Sequence, residues 1–284
     1  MKIALDKYKI DNKYFDILKE DWKFLVILDA CRYDFFKEIY KEFFDTNNLQ
    51  KAISPAKSTP EWLDKIFKSY YNDIVYISGN PWINSIVVDK NLKFHAKKHF
   101  YKVVDVWNFG WDDNLGTIHP KKINKSFIES LLKYKNKRFI LHYNQPHQPY
   151  ISLGGRSRKI RQIEHHNKTK TFTNYAKFYI SKSVGDLICW KLLNFFKIPF
   201  KDYGYMLYYQ YGGFDKIRQA YKNDLKIVLE NVKELTDYVS GKWLITADHG
   251  ELLGEHNGYD HCHFFRYKEL VEVPFLKISS KPLE

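Results

Sequence analysis

A chain of 284 residues, 44% of them hydrophobic, can bury a substantial core as one large domain or two small ones. Its formal charge of +13 suits a nucleic-acid binder, a protein held at an anionic membrane surface or an enzyme for anionic substrates, and by itself selects none of them. No stretch reaches the roughly 18 to 20 apolar residues of a membrane span, and the N-terminus MKIALDKYKIDNKYFD is too charged for a signal peptide, so the cytoplasm is the expected location.

In chain order, the first apolar β-run is FLVILD at 24–29, which ends in Asp29 with Arg32 and Asp34 just beyond. Asp34 is expected to cap the helix YDFFKEIYKEFF that follows. Next comes SPAKSTPEWLDKIF, where Ser58 and Thr59 precede Pro60 at the start of a helix. Further β-runs are DIVYIS at 73–78, VVDVW at 103–107 and RFILHY at 138–143, the last leading into LHYNQPHQPY with His147 between two prolines. Residues 151–213 are rich in aromatic and basic side chains and read as an insertion or lid. The long helical segment FDKIRQAYKNDLKIVLENVKELTDYV then leads to WLITAD at 243–248, to Asp248-His249-Gly250 and HNGYDHCH, and finally to VEVPFLKI at 271–278. Strands alternating with helices predict a mostly parallel sheet covered on both faces, with ligands at the carboxyl ends of the strands. The whole of 1–284 is expected to be one catalytic domain carrying that insertion.

Two of these strand ends carry a carboxylate. Directly after five apolar residues, Asp29 would be poorly solvated unless it met a cation, and a metal is the economical partner. Asp248 and His249 add an oxygen and a nitrogen donor, and Gly250 lets backbone pass close by. His147 and the group His256, Asp260, His261 and His263 complete a set that predicts a metal site. The three cysteines, Cys31, Cys189 and Cys262, have no CxxC spacing and argue against a thiolate zinc site. For Ser58 and Thr59, helix capping and a nucleophilic role both remain open from the segment alone.

Taken in order, FLVILDACRYD, KSTPEWL, HYNQPHQPY and TADHGELLGEHNGYDHCH resemble the alkaline phosphatase superfamily, in particular its sulfatase-like and phosphoethanolamine-transferase-like branch, over about residues 22 to 278. The resemblance implies a three-layer α/β/α sandwich. It also implies that Asp29, a nucleophile at Ser58 or Thr59, Asp248 and His249 bind one metal, with Ser58 favoured because Pro60 stands two positions later. By the same resemblance His147 and His261 hold a second metal or contact the anionic group in flight, and His263 competes with His261. Trp62 stands where formylglycine sulfatases have an arginine, and the DxxxH pair of the phosphodiesterases is missing.

The expected activity is therefore metal-dependent hydrolysis or transfer of a phosphate ester, with sulfate second, through a covalent Ser or Thr intermediate. Zinc, as one or two ions, is the expected cofactor and manganese the alternative. Arg32, His263, Arg156 and Arg158 are expected to face the anionic substrate, which could sit on a glycan or lipid head group. Nucleic acid is not an expected partner, while the positive charge leaves room for a peripheral contact with an anionic membrane. Two rival readings are a basic nucleic-acid-binding module with structural histidines and a degenerate superfamily member that binds a glycan or nucleotide without turnover.

Overall fold

The computed structural model describes residues 15–86, 94–154, 212–261 and 266–280. The segment FLVIL forms β1 (Phe24–Leu28), buried at every position. A strand buried on both faces belongs inside a covered sheet. It lies parallel between β5 (Arg138–Tyr143) and β6 (Gly241–Thr246). Outside β5 run β3 (Tyr71–Ser78) and β4 (Phe100–Asp105), both parallel. Outside β6 run β9 (Glu272–Ser280), antiparallel to it, and the edge strand β2 (Gln50–Ile53), antiparallel to β9. The order of the seven-stranded sheet is β2-β9-β6-β1-β5-β3-β4, so β9 alone runs against the rest. A separate two-stranded ribbon pairs β7 (Leu252–Leu253) with β8 (Tyr259–Asp260).

The helices are α1 (Tyr33–Ile39), α2 (Thr59–Ile66), α3 (Val106–Phe109), α4 (Pro120–Lys133), α5 (Phe214–Tyr238) and α6 (Lys268–Val271) among the described residues. Neighbouring side chains of β5 show how they are layered. His142 faces Trp62 of α2, ring centres 6.4 Å apart, whereas Tyr143 donates its hydroxyl hydrogen to Asn124 Oδ1 of α4 at 2.7 Å. Successive residues of a strand point to opposite faces, so α2 and α4 lie on opposite sides of the sheet. Asn124 Nδ2 in turn donates to Asn231 O of α5, which puts α5 with α4. The result is the expected three-layer α/β/α sandwich.

Aromatic packing fills both layers. Phe24 meets Trp243 at 4.4 Å and Phe127 of α4 edge-on at 5.4 Å, while Phe67 after α2 packs against Phe100 at 4.8 Å. Residues expected in strand VVDVW divide differently: β4 stops at Asp105, and Val106 and Trp107 begin α3. Asp105 explains the break, because its carboxylate accepts from Ser85 N and Oγ and from Trp107 Nε1 and so ends the ladder.

Candidate active site

Parallel strands all finish at the same edge of a sheet. Here β6, β1, β5 and β3 are consecutive neighbours, and they deliver Asp248 and His249, Asp29, His147 and Asn80 to that edge. The turn after β1 requires Ala30 in the left-handed region at φ 56°. This conformation is held from both sides, since Ala30 N donates to Asp248 Oδ1 at 3.1 Å and Ala30 O accepts from Tyr221 OH at 2.8 Å. After β6, Gly250 is obligatory for space: a Cβ there would lie 2.1 Å from Glu269 O.

One group of donors comprises Asp29, Asp248 and His249, all buried, with one ligand atom from each lying within 4.8 Å of the others. Thr59 Oγ1, at the start of α2, donates to Asp248 Oδ2 at 2.7 Å and lies 3.5 Å from His249 Nε2. Asn80 Nδ2 donates to Asp29 Oδ2 at 2.7 Å and reaches Thr59 Oγ1 at 3.4 Å. His249 Nδ1 is 2.9 Å from Gly250 O, which can only accept, so Nδ1 carries the hydrogen and the Nε2 lone pair faces the carboxylates. Burial pushes Asp29 up to about 7, helped by the charge of Asp248. Burial also draws His249 down to about 4. The same burial acts to raise Asp248, but His249, His142 and the Thr59 hydrogen bond outweigh it and hold this carboxyl below its usual range. Two buried carboxylates with a neutral imidazole and a hydroxyl form a donor set that fits a divalent cation.

Beside it lies a second group, His147, Asp260 and His261. The His261 ring is 4.5 Å from that of His249 and 5.3 Å from that of His147, so the two groups share one space. Asp260 closes the β7–β8 ribbon at φ 71° and accepts from His261 N at 2.6 Å. His261 Nδ1 is 2.5 Å from Asp260 Oδ1, yet out of line for a hydrogen bond, and His147 Nε2 likewise has no hydrogen-bond partner. Glu251 is fully buried with both carboxylate oxygens unpartnered. Burial pushes Glu251 up to about 8. Burial opposes charge on His147, but Glu251 and Asp260 more than compensate and raise it well above the ordinary imidazole range. Buried orphan atoms of both signs around one space fit an absent cation or anionic group better than a finished core.

The expected residues divide into three sets. Asp29, Thr59, Asp248, His249, His147 and His261 come together. Ser58 does not: it is half-buried and caps α2 without a side-chain hydrogen bond to it. Extended backbone at Ser58 followed by helix at Thr59 turns adjacent side chains apart, and only Thr59 meets Asp248. Arg32, expected to face the substrate, has a side chain that is 5% exposed and bound to Asp34 at 2.6 Å, Glu255 at 2.9 Å and Glu251 O at 3.3 Å. Arg32 itself caps α1, and Asp34 sits in the first turn as its partner. His256 lies apart, stacked on Tyr267 at 3.9 Å. His263, Arg156, Arg158 and nearly all of the 151–213 insertion fall outside the described residues. Sequence reasoning missed Asn80, Glu251 and the pair Tyr76–His142, and left Asp260 unassigned within its cluster. Asn80, two residues past β3, carried a signal like that of Asp29, a polar residue at a strand end.

No known family's sequence profile matches the chain, and no curated protein matches it by sequence. In structure it is similar to the integral membrane protein lipooligosaccharide phosphoethanolamine transferase A (EptA) from Neisseria meningitidis, at 13% identity and a TM-score of 0.55, over 99% of this chain and 53% of that one. The chain thus spans about half the length of that protein. It is similar to the separately solved soluble domain of the same transferase, at 13% identity and a TM-score of 0.53, covering 91% of this chain and 76% of that one. A third likeness is the C-terminal periplasmic domain of phosphoethanolamine transferase EptC from Campylobacter jejuni, at 12% identity and a TM-score of 0.49, covering 90% and 78%. The chain therefore shares the α/β, alkaline phosphatase-like fold of these phosphoethanolamine transferase domains. The likeness to an integral membrane protein contradicts the cytoplasmic expectation. Among the described residues no helix is long and apolar enough to cross a membrane.

Proposed function

We propose that this chain is a metal-dependent enzyme that transfers or hydrolyses phosphate esters, with sulfate esters second, through Thr59 as nucleophile. The observation that carries the reading is the Thr59 hydroxyl 2.7 Å from Asp248 Oδ2, inside the group formed by Asp29, Asp248 and His249. Those three side chains and the Thr59 oxygen would hold a divalent ion, with zinc favoured by the mixed oxygen and nitrogen donors and manganese second. Bound there, the ion would supply the positive charge that makes a threonine oxygen nucleophilic near neutral pH, its proton leaving to solvent. Thr59 Oγ1 forms a bond to phosphorus as the bond to the leaving oxygen breaks, and His147 supplies the proton that oxygen needs. His261 and Asn80 steady the non-bridging oxygens; a second cation held by His147, Asp260 and His261 would take that part instead, and the leaving oxygen would then draw its proton from water, because His147 Nδ1 is held by Gln148 O. Water or an acceptor hydroxyl then gives its proton back to His147 and attacks the phosphothreonine, freeing Thr59.

We place the protein outside the cytoplasm, with the basic side chains of Arg156 and Arg158 drawing in the anionic substrate. The likeness to a lipooligosaccharide-modifying transferase supports an ester carried on a glycan or lipid head group. Paired substitutions test the central assignment. With an aryl phosphate, Thr59→Ala should lower kcat at least a hundredfold, on the order of the loss of a catalytic nucleophile, whereas Ser58→Ala should stay near the parent. The reverse order would refute it.

A further inference from the structure

His142 is a polar residue at the centre of the sheet to which the proposed reaction gives no part. It lies on β5, fully buried, and its Nε2 has no hydrogen-bond partner. That atom is 3.9 Å from Asp248 Oδ2. On the other side of the ring, Nδ1 is 2.8 Å from the hydroxyl of Tyr76 on β3, itself fully buried. Among the described residues Nδ1 is the one partner of that hydroxyl, so a Tyr76 proton that does not go to Nδ1 is stranded in the core. If Tyr76 donates, Nδ1 is the acceptor and Nε2 carries the ring hydrogen, aimed at the carboxylate. The opposite tautomer strands the phenolic hydrogen and sets a nitrogen lone pair against Asp248.

The need for such a donor follows from how Asp248 is otherwise held. Oδ1 accepts from Ala30 N at 3.1 Å and His249 N at 3.0 Å, both fixed backbone groups. Oδ2 accepts from Thr59 Oγ1 at 2.7 Å. A threonine that has given up its proton can no longer donate, and Oδ2 then loses its one hydrogen-bond donor among the described residues. The hydrogen on His142 Nε2, whose nitrogen stands 3.9 Å from Oδ2, can take over once ring and carboxylate close to hydrogen-bond distance.

We propose that His142 is a positioning residue: its Nε2–H orients Asp248 Oδ2 toward the metal, and Tyr76 fixes the tautomer that makes this possible. Partners that orient a ligand from behind are worth about 10- to 100-fold in metal affinity. The proposal rests on Asp248 being a metal ligand. Zinc alone is the probe, titrated in competition with a chromogenic chelator into the parent, His142→Leu and His142→Gln, with histidine 15N NMR of the parent as a second measurement. Expected are the Nε2–H tautomer at His142, a roughly 10- to 100-fold loss of zinc affinity in His142→Leu, and near-parent affinity in His142→Gln, whose amide can donate into the same space. An Nδ1–H tautomer, parent-like zinc binding by folded His142→Leu, or an equal loss in both variants would overturn it. A parent that takes up no zinc would remove Asp248 as a ligand and this proposal with it. Normal uptake unaffected by His142→Leu would remove this proposal alone. Should His142→Leu not fold, the tautomer in the parent decides.

Discussion

Arg32 and Thr59 show how far a residue type alone carries. An arginine beside a strand end in a basic protein suggests an anion-binding group, and sequence offers no means of seeing the two carboxylates that claim it. Asp34 lies within two positions, but Glu255 is 223 positions away and reaches Arg32 only through the fold. With every charge-bearing direction satisfied, Arg32 ties the start of α1 to the segment after β7. Replacing it by Met keeps the packing of the stem and strands the two acids. Because Asp34 is well exposed, the loss should be roughly 2 to 3 kcal/mol, less than for a fully buried pair. Urea unfolding should show that loss, while KM for an anionic ester stays near the parent value. A raised KM at unchanged stability would restore Arg32 as a substrate contact. The choice between Ser58 and Thr59 was likewise illegible, because it turns on backbone angles at a helix start that no residue pattern specifies.

At the scale of elements, the strands of the central sheet were the legible part. FLVIL, RFILHY and WLITAD read as strands because their apolar runs are buried on both faces, and short β-rich runs of that kind have little else to become. β2 went unread because QKAI, an edge strand exposed at its first two positions, carries no such run. The helix α4 was passed over because its buried stripe includes Asn124, Ser126 and Ser130 among the apolar residues. A polar tie of the same kind fixes the segment after His147. Asp224 of α5, fully buried, accepts from Ile151 N at 2.7 Å and Ser152 N at 2.8 Å. Burial nevertheless pushes its carboxyl up to about 6, past what those two bonds recover. The folded pKa is therefore above the unfolded one, and the folded state binds the proton more tightly. Stability from this group is present below the unfolded pKa of about 3.8 and is lost as pH rises through about 6. The difference in unfolding free energy between the parent and Asp224→Asn should thus change by about 3 kcal/mol across that window, against the parent as pH rises. A difference that is flat with pH would show that Asp224 ionises normally in the fold.

For the whole molecule, the charge of +13 did not disclose function, as expected of a quantity that governs encounter more than fold. Several lysines are spent on surface pairs, among them Lys226 with Glu42 and Lys65 with Glu61, which leaves the excess spread out. The candidate site was legible instead in the strand ends, because topology brings Asp29, Asp248, His249 and His147 to one edge. What stayed hidden there was Glu251, a carboxylate whose meaning depends on burial without a partner. Such a site should couple metal to stability. Zinc at a hundredfold its Kd adds about 2.7 kcal/mol, or roughly 4 to 5 °C in a chain of this size. Chelation should remove that increment, and Asp248→Asn should show none of it in a calorimetric scan. Identical melting with and without zinc in the parent would speak for a basic binding module with structural histidines.

The account stands or falls on the covalent step at Thr59. Incubating the zinc-loaded protein with an aryl phosphate, quenching in acid within the first turnover and mapping the phosphopeptide by tandem mass spectrometry reads that step directly. The account predicts phosphate on Thr59, in the peptide that begins at Ser58, and none in the Thr59→Ala protein. Phosphate on Ser58, or release of the aryl alcohol in that first turnover with no phosphate on the protein, would contradict it.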